Sequence, residues 1–88
     1  MDTDARIIAQ NVYYIRKIVL SLTQEKFAEL LDISKDTVSN IERGKVIPCT
    51  ETLTRLSIKT GKPIDFFLKE KAEDYNEIYL HSEFEYDC

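Results

Sequence analysis

Apolar residues fall at helical intervals almost from the start of the chain. Ile7, Ile8, Val12, Ile15, Ile18 and Val19 recur three and four apart, while Arg6, Gln10, Asn11, Arg16 and Lys17 take the water-facing positions between them. This spacing predicts a first helix over about residues 4–20, with Thr3 or Asp4 as its cap. Phe27, Leu30 and Leu31, at i, i+3 and i+4, form the apolar face of a second helix over 24–31, and Ala28 leaves room for a neighbouring helix to close in. Val38 and Ile41 point inward from a third helix over 35–43. Leu53, Leu56 and Ile58 predict a fourth over 50–60, and Ile64, Phe67 and Leu68 a fifth over 63–75. Past residue 76 the pattern changes: Ile78 and Leu80 alternate with Tyr79 and His81, and Phe84 lies between Glu83 and Glu85. A strand, a continued helix and an unstructured end all fit that weak period of two.

The residues between these faces supply the punctuation. Ser21 to Thr23 is the first break, where Ser21 costs little if its φ stays negative. Thr23 can cap the second helix as half of a capping box, because Lys26 stands where Glu or Gln would complete it. Asp32 suits a left-handed position, Ile33 a buried plug and Ser34 the next N-cap. Gly44 can close the third helix in the left-handed region. Val46-Ile47-Pro48 reads as extended, because the residue before a proline avoids the α region. Cys49 or Thr50 opens the fourth helix, Gly61 stops it, and Pro63 suits the first position of the fifth. The reading is all-α: a compact five-helix domain over 1–75 and a short acidic, aromatic tail over 76–88.

Composition changes that picture in three places. Eighty-eight residues make one domain, able to bury roughly 60–65% of the surface its unfolded chain exposes. The net charge of −4 does not advertise nucleic-acid binding, but the charge is split. Residues 1–68 carry ten Lys and Arg against nine Asp and Glu, whereas 69–88 carry two lysines against seven acids, so the acidity belongs to the tail. A phosphate-facing surface on the body therefore stays open. Cys49, Cys88 and His81 are spaced for neither a disulfide framework nor a zinc site. No stretch is long and apolar enough to span a membrane, and Met1-Asp2-Thr3-Asp4 is acidic where a secretory signal is basic. The expectation is a cytoplasmic protein with no cofactor, no metal and no membrane partner.

A short helix that spends a third of its residues on packing and presents the rest as a polar ridge suits a DNA major groove. The stretch Thr23–Lys45, TQEKFAELLDISKDTVSNIERGK, resembles the helix-turn-helix of the Cro/phage-repressor (XRE-type) DNA-binding family. The resemblance continues through Ile41-Glu42-Arg43-Gly44-Lys45, Pro48, Glu51-Thr52-Leu53 up to Gly61, and Ile64-Asp65 with Phe67-Leu68. It covers roughly residues 7–68. Ser21 departs from it, since family members often carry glycine near that point.

The resemblance implies a lambda-repressor-like fold and a double-stranded DNA partner. Lys35, Asp36, Ser39 and Asn40 match the base-reading side of the third helix: Asn pairs with adenine, Lys donates to guanine and Asp accepts from the cytosine amine. Gln24, Thr37, Arg43 and Lys45 match phosphate contacts, Gln24 with the dipole of its helix N-terminus behind it. Arg16 and Lys17 are secondary candidates, and the family arrangement implies an ion pair between Arg16 and Glu42. Tyr13, Tyr14, Phe66, Tyr75, Tyr79, Phe84 and Tyr86 are too many aromatics for exposed positions. Their excess after residue 65 makes Phe66, Tyr75, Ile78, Tyr79 and Phe84 candidates for a dimerisation segment, since the family commonly binds two half-sites as a homodimer; a tail folded back on its own domain is the alternative.

Two functions remain in play. One is a sequence-specific transcriptional regulator, a dimeric repressor or controller reading an inverted-repeat operator. The other is a protein-interaction module, antitoxin-like, working through the acidic tail on a basic protein partner. No enzyme constellation appears: Gly44 and Gly61 are the only glycines, both are taken up by helix ends, and nothing brings His81 to a nucleophile.

Overall fold

The structure, a computed structural model, describes the backbone of residues 3–70 and the side chains of 5–70. It holds five α-helices and no strand among those residues. They are α1 (Thr3–Tyr13), α2 (Gln24–Leu31), α3 (Lys35–Glu42), α4 (Thr50–Thr60) and α5 (Ile64–Leu68), with α1 extended by a π-helical segment over Tyr14–Val19. α1 packs on α3 and α5, α2 on α3 and α4, and α4 on α5. One core results: Ile8, Val12 and Ile15 meet Phe27 and Leu31 from α2, Val38 and Ile41 from α3, Leu56 and Phe67. Ala28 is buried among them, the close approach its size allows.

The first helix is where periodicity misleads. In an α-helix Val12, Ile15 and Val19 would share one face. The π segment, in which the Leu20 amide reaches back five residues to the Ile15 carbonyl at 2.9 Å, widens the last turn. Leu20 is thereby carried onto the core, while Ile18 and Val19 face solvent, against expectation. Three polar residues assigned to water, Gln10, Asn11 and Arg16, are buried instead. Asn11 explains its own position: its side-chain amide donates to the Lys69 carbonyl at 3.0 Å and to the Phe67 carbonyl at 2.8 Å, which the end of α5 leaves without a partner in the helix.

That contact coincides with the end of α5. Lys69 is extended at φ −109° and ψ 144°, so the fifth helix stops at Leu68 rather than running to 75. Leu68 and Leu30, expected on the core, stay substantially exposed, and Ile58 on α4 is 71% exposed. Each lies at the margin of its helix's apolar stripe, where sequence spacing does not show how far the neighbouring element reaches.

Ser21 adopts φ +56°, so the condition under which it would cost little is not met. The Leu22 amide must turn back to the Arg16 carbonyl at 2.9 Å, and that return passes through the left-handed region, glycine or not. Residues 71–88, which include Tyr75, Ile78, Tyr79, Phe84 and Tyr86, lie outside the described residues.

Candidate nucleic-acid interface

The α2-turn-α3 unit is built from matched start and stop signals. The Thr23 hydroxyl accepts from the Lys26 amide at 3.1 Å, and the Ser34 hydroxyl accepts from the Thr37 amide at 3.0 Å, so both helices open on side-chain caps. α2 closes with Asp32 at φ 60°: the Asp32 amide donates to the Glu29 carbonyl at 3.1 Å and the Ile33 amide to Ala28 at 3.0 Å. Ile33 is only half buried but packs against the core as the expected plug. α3 closes the same way, with the Gly44 amide on Ile41 at 3.1 Å and the Lys45 amide on Asn40 at 3.0 Å. Gly44 sits at φ 72°, where any other residue would be strained.

Behind α3 lies a buried polar cluster. Arg16 donates to Glu42 twice, through Nε to Oε2 at 2.6 Å and through Nη2 to Oε1 at 3.0 Å, a bidentate pair with both residues almost fully covered. The remaining guanidinium nitrogen, Nη1, donates to the Leu22 carbonyl at 2.7 Å, and the Tyr13 ring lies 5.4 Å from the guanidinium carbon. Gln24 adds a third donor, its side-chain nitrogen 3.0 Å from Glu42 Oε1. The cluster ties the first helix, the start of α2 and the end of α3 to one another.

The outward side of α3 is different in kind. Val38 and Ile41 are buried, whereas Lys35, Asp36 and Arg43 are exposed and Ser39, Asn40 and Lys45 partly so. Among the described residues, none of these six polar side chains makes a hydrogen bond or ion pair. Asp36 lies in the first turn, where the helix dipole favours a carboxylate.

The other candidates are more committed. The Thr37 hydroxyl is 2.8 Å from that of Ser34, at the foot of α3. Gln24 begins α2 with one of its two amide hydrogens on Glu42, leaving the second for another acceptor. Phe66 is half buried on the core, edge-on to Phe67 with ring centroids 5.3 Å apart and the Lys62 ammonium 5.4 Å from its centroid.

One residue that sequence reasoning passed over stands at the turn itself. Arg55 of α4 donates through Nη1 to the carbonyls of Leu31 at 3.3 Å and Asp32 at 2.8 Å, and through Nη2 to Glu51 at 2.9 Å. The Glu51–Arg55 spacing was a legible helical pair; its partners more than twenty positions upstream were not.

Among the described residues no group of three or more His, Cys, Asp or Glu is placed to hold a metal, and no helix is long and apolar enough to cross a membrane. Two capped helices joined by a left-handed turn, the second with an uncommitted polar face, define a helix-turn-helix DNA-binding domain. The helix-turn-helix family model matches residues 12–67, nearly two thirds of the chain, and the chain belongs to that family, of the XRE or Cro/phage-repressor-like type. It is thus a DNA-binding transcription regulator, of a family whose members are regulators and not typically enzymes. No curated protein and no solved structure matches it.

Proposed function

We propose that the protein is a cytoplasmic, sequence-specific repressor or controller that binds an inverted-repeat operator as a homodimer, with α3 in the major groove. The observation that carries this reading is the outward face of α3, where Lys35, Asp36, Ser39 and Asn40 have no hydrogen-bond or ion-pair partner among the described residues, while Arg16, Gln24 and Glu42 beneath it are bound to one another. An α-helix with its side chains is about 10–12 Å across, commensurate with the width of the groove. Lys35, Asp36, Ser39 and Asn40 read base edges. Arg43, Lys45, Thr37 and the second amide hydrogen of Gln24 hold phosphates, and these contacts supply most of the affinity and its salt dependence. Half-sites one helical turn apart are about 34 Å from each other. The described residues span 27 Å at most, in keeping with one copy per half-site.

The test is selection of bound duplexes from a random double-stranded pool at two salt concentrations. An enriched inverted repeat supports the reading. Unenriched binding that vanishes at moderate salt overturns it in favour of the second reading, a partner-binding module working through the acidic residues 69–88, whose support is the charge split along the chain. Lys35→Ala with Asn40→Ala separates the two again: operator binding is lost in the first, and function is untouched in the second.

A further inference from the structure

We infer that Arg55 sets how well the protein discriminates between DNA sequences without touching DNA, by fixing the turn from which α3 starts. The inference rests on the reading of α3 as the base-reading helix. α3 has a support at each end. Its C-terminal end is held by the two hydrogen bonds from Arg16 to Glu42. Its N-terminal end leaves a short turn whose Asp32, left-handed at φ 60° and ψ 45°, closes α2 through its own amide on Glu29 and the Ile33 amide on Ala28.

Arg55 clamps that turn from α4. The Leu31 and Asp32 carbonyls point out of the end of α2, at the negative pole of its dipole, and the Arg55 guanidinium closes on both, at 3.3 and 2.8 Å. Glu51, one turn earlier on α4, takes the other side of the fork at 2.9 Å and holds its plane in place. A lysine keeps the charge but is a point donor, unable to reproduce this two-sided geometry. α4 otherwise packs mainly on α2 and α5, while α3 packs mainly on α1 and α2, so this turn is the principal link from α4 to the start of α3.

The consequence is geometric. With its far end pinned, a tilt of about 5° in an eight-residue helix moves Lys35 and Asp36 by about 1 Å. Hydrogen bonds to base edges tolerate a few tenths of an ångström, whereas attraction to phosphates is long-ranged and barely notices. A loosened turn therefore lowers discrimination and leaves non-specific affinity in place.

The experiment uses the full chain and fluorescence anisotropy at several salt concentrations. The probes are the duplex enriched by the wild type and a scrambled duplex of equal length. Arg55→Lys is expected to lower the preference for the enriched duplex about tenfold, the discrimination of roughly one base contact, with scrambled-duplex affinity and salt slope unchanged. Glu51→Gln, which leaves the carbonyl contacts in place, is expected to give a smaller loss in the same direction. Equal loss on both duplexes, or a shallower salt slope, would make Arg55 a phosphate contact and overturn the inference. An unchanged preference in Arg55→Lys overturns it as well. Arg55→Ala extends the series, and should it fail to fold, the Lys and Gln variants still decide. Absence of any enriched duplex for the wild type is seen before a variant is made, and it defeats the reading of α3 itself.

Discussion

Replacing Glu42 with alanine should destabilise the domain by about 3–5 kcal/mol, the range for removing one partner of a buried ion pair. The magnitude follows from what is left behind. The Glu42 carboxylate receives hydrogen bonds at 2.6, 3.0 and 3.0 Å from Arg16 Nε, Arg16 Nη2 and Gln24, and it is only 5% exposed. Without it the Arg16 guanidinium, 7% exposed, keeps one carbonyl at 2.7 Å and the face of Tyr13, too little to solvate a charge. A small relief, about 0.3–1 kcal/mol, comes from removing an anion from the C-terminal turn of α3, and it does not change the outcome. A domain this size is worth roughly 4–13 kcal/mol in all, so the variant should be poorly folded or melt lower by at least about 12 °C. Urea denaturation followed by circular dichroism measures it for wild type, Glu42→Ala, Arg16→Met and the double variant. The double variant should be more stable than the sum of the singles by about 1–2 kcal/mol, because neither charge is then stranded. A loss under about 1 kcal/mol in Glu42→Ala, or plain additivity, would show that the cluster is not the anchor argued here.

Other outcomes follow from single positions. Ser21→Gly relieves a left-handed strain of about 1–2 kcal/mol against about 0.5–1 kcal/mol of added chain entropy, so the urea midpoint should rise by a net ~0.5–1 kcal/mol equivalent. Lys45→Ala should weaken enriched and scrambled duplexes alike and reduce the salt slope by about one unit, whereas Asn40→Ala should cost about 1–3 kcal/mol on the enriched duplex alone, both read by anisotropy titration. The Cys49 thiol, exposed at the start of α4, is held below its ordinary range, first by a hydrogen bond from the Thr52 backbone and then by the Thr52 hydroxyl at 3.6 Å. In a Cys88→Ser background its alkylation should therefore set in at lower pH than for an unstructured peptide thiol, because the thiolate is the reactive form. Thr52→Val should move that onset part of the way back up.

The helix-turn-helix was legible because local chemistry and pattern agree there. Thr23 and Ser34 cap, Asp32 and Gly44 turn left-handed, and Val38 and Ile41 give α3 one inward side. Polar side chains were the opposite case. Asn11 and Arg16 look like surface residues in a periodic reading, and each is buried because its partner arrives from far along the chain, the Phe67 carbonyl for one and the Glu42 carboxylate for the other. The Arg16–Glu42 pair was expected only from a family resemblance, and no resemblance offered the Arg55 clamp.

The sequence by itself determined that there are five helices, the caps of α2 and α3 and the all-α class, because capping and amphipathic spacing act over three or four residues and need no partner. It also determined which side chains of the third helix have no core to serve. Only the tertiary structure decided the π turn that exchanges Val19 for Leu20, the left-handed Ser21, the end of α5 at Leu68, and which charges go inside. Those are settled by whether a buried polar group finds its hydrogen-bond partner, and that depends on the whole fold rather than on neighbours in the chain.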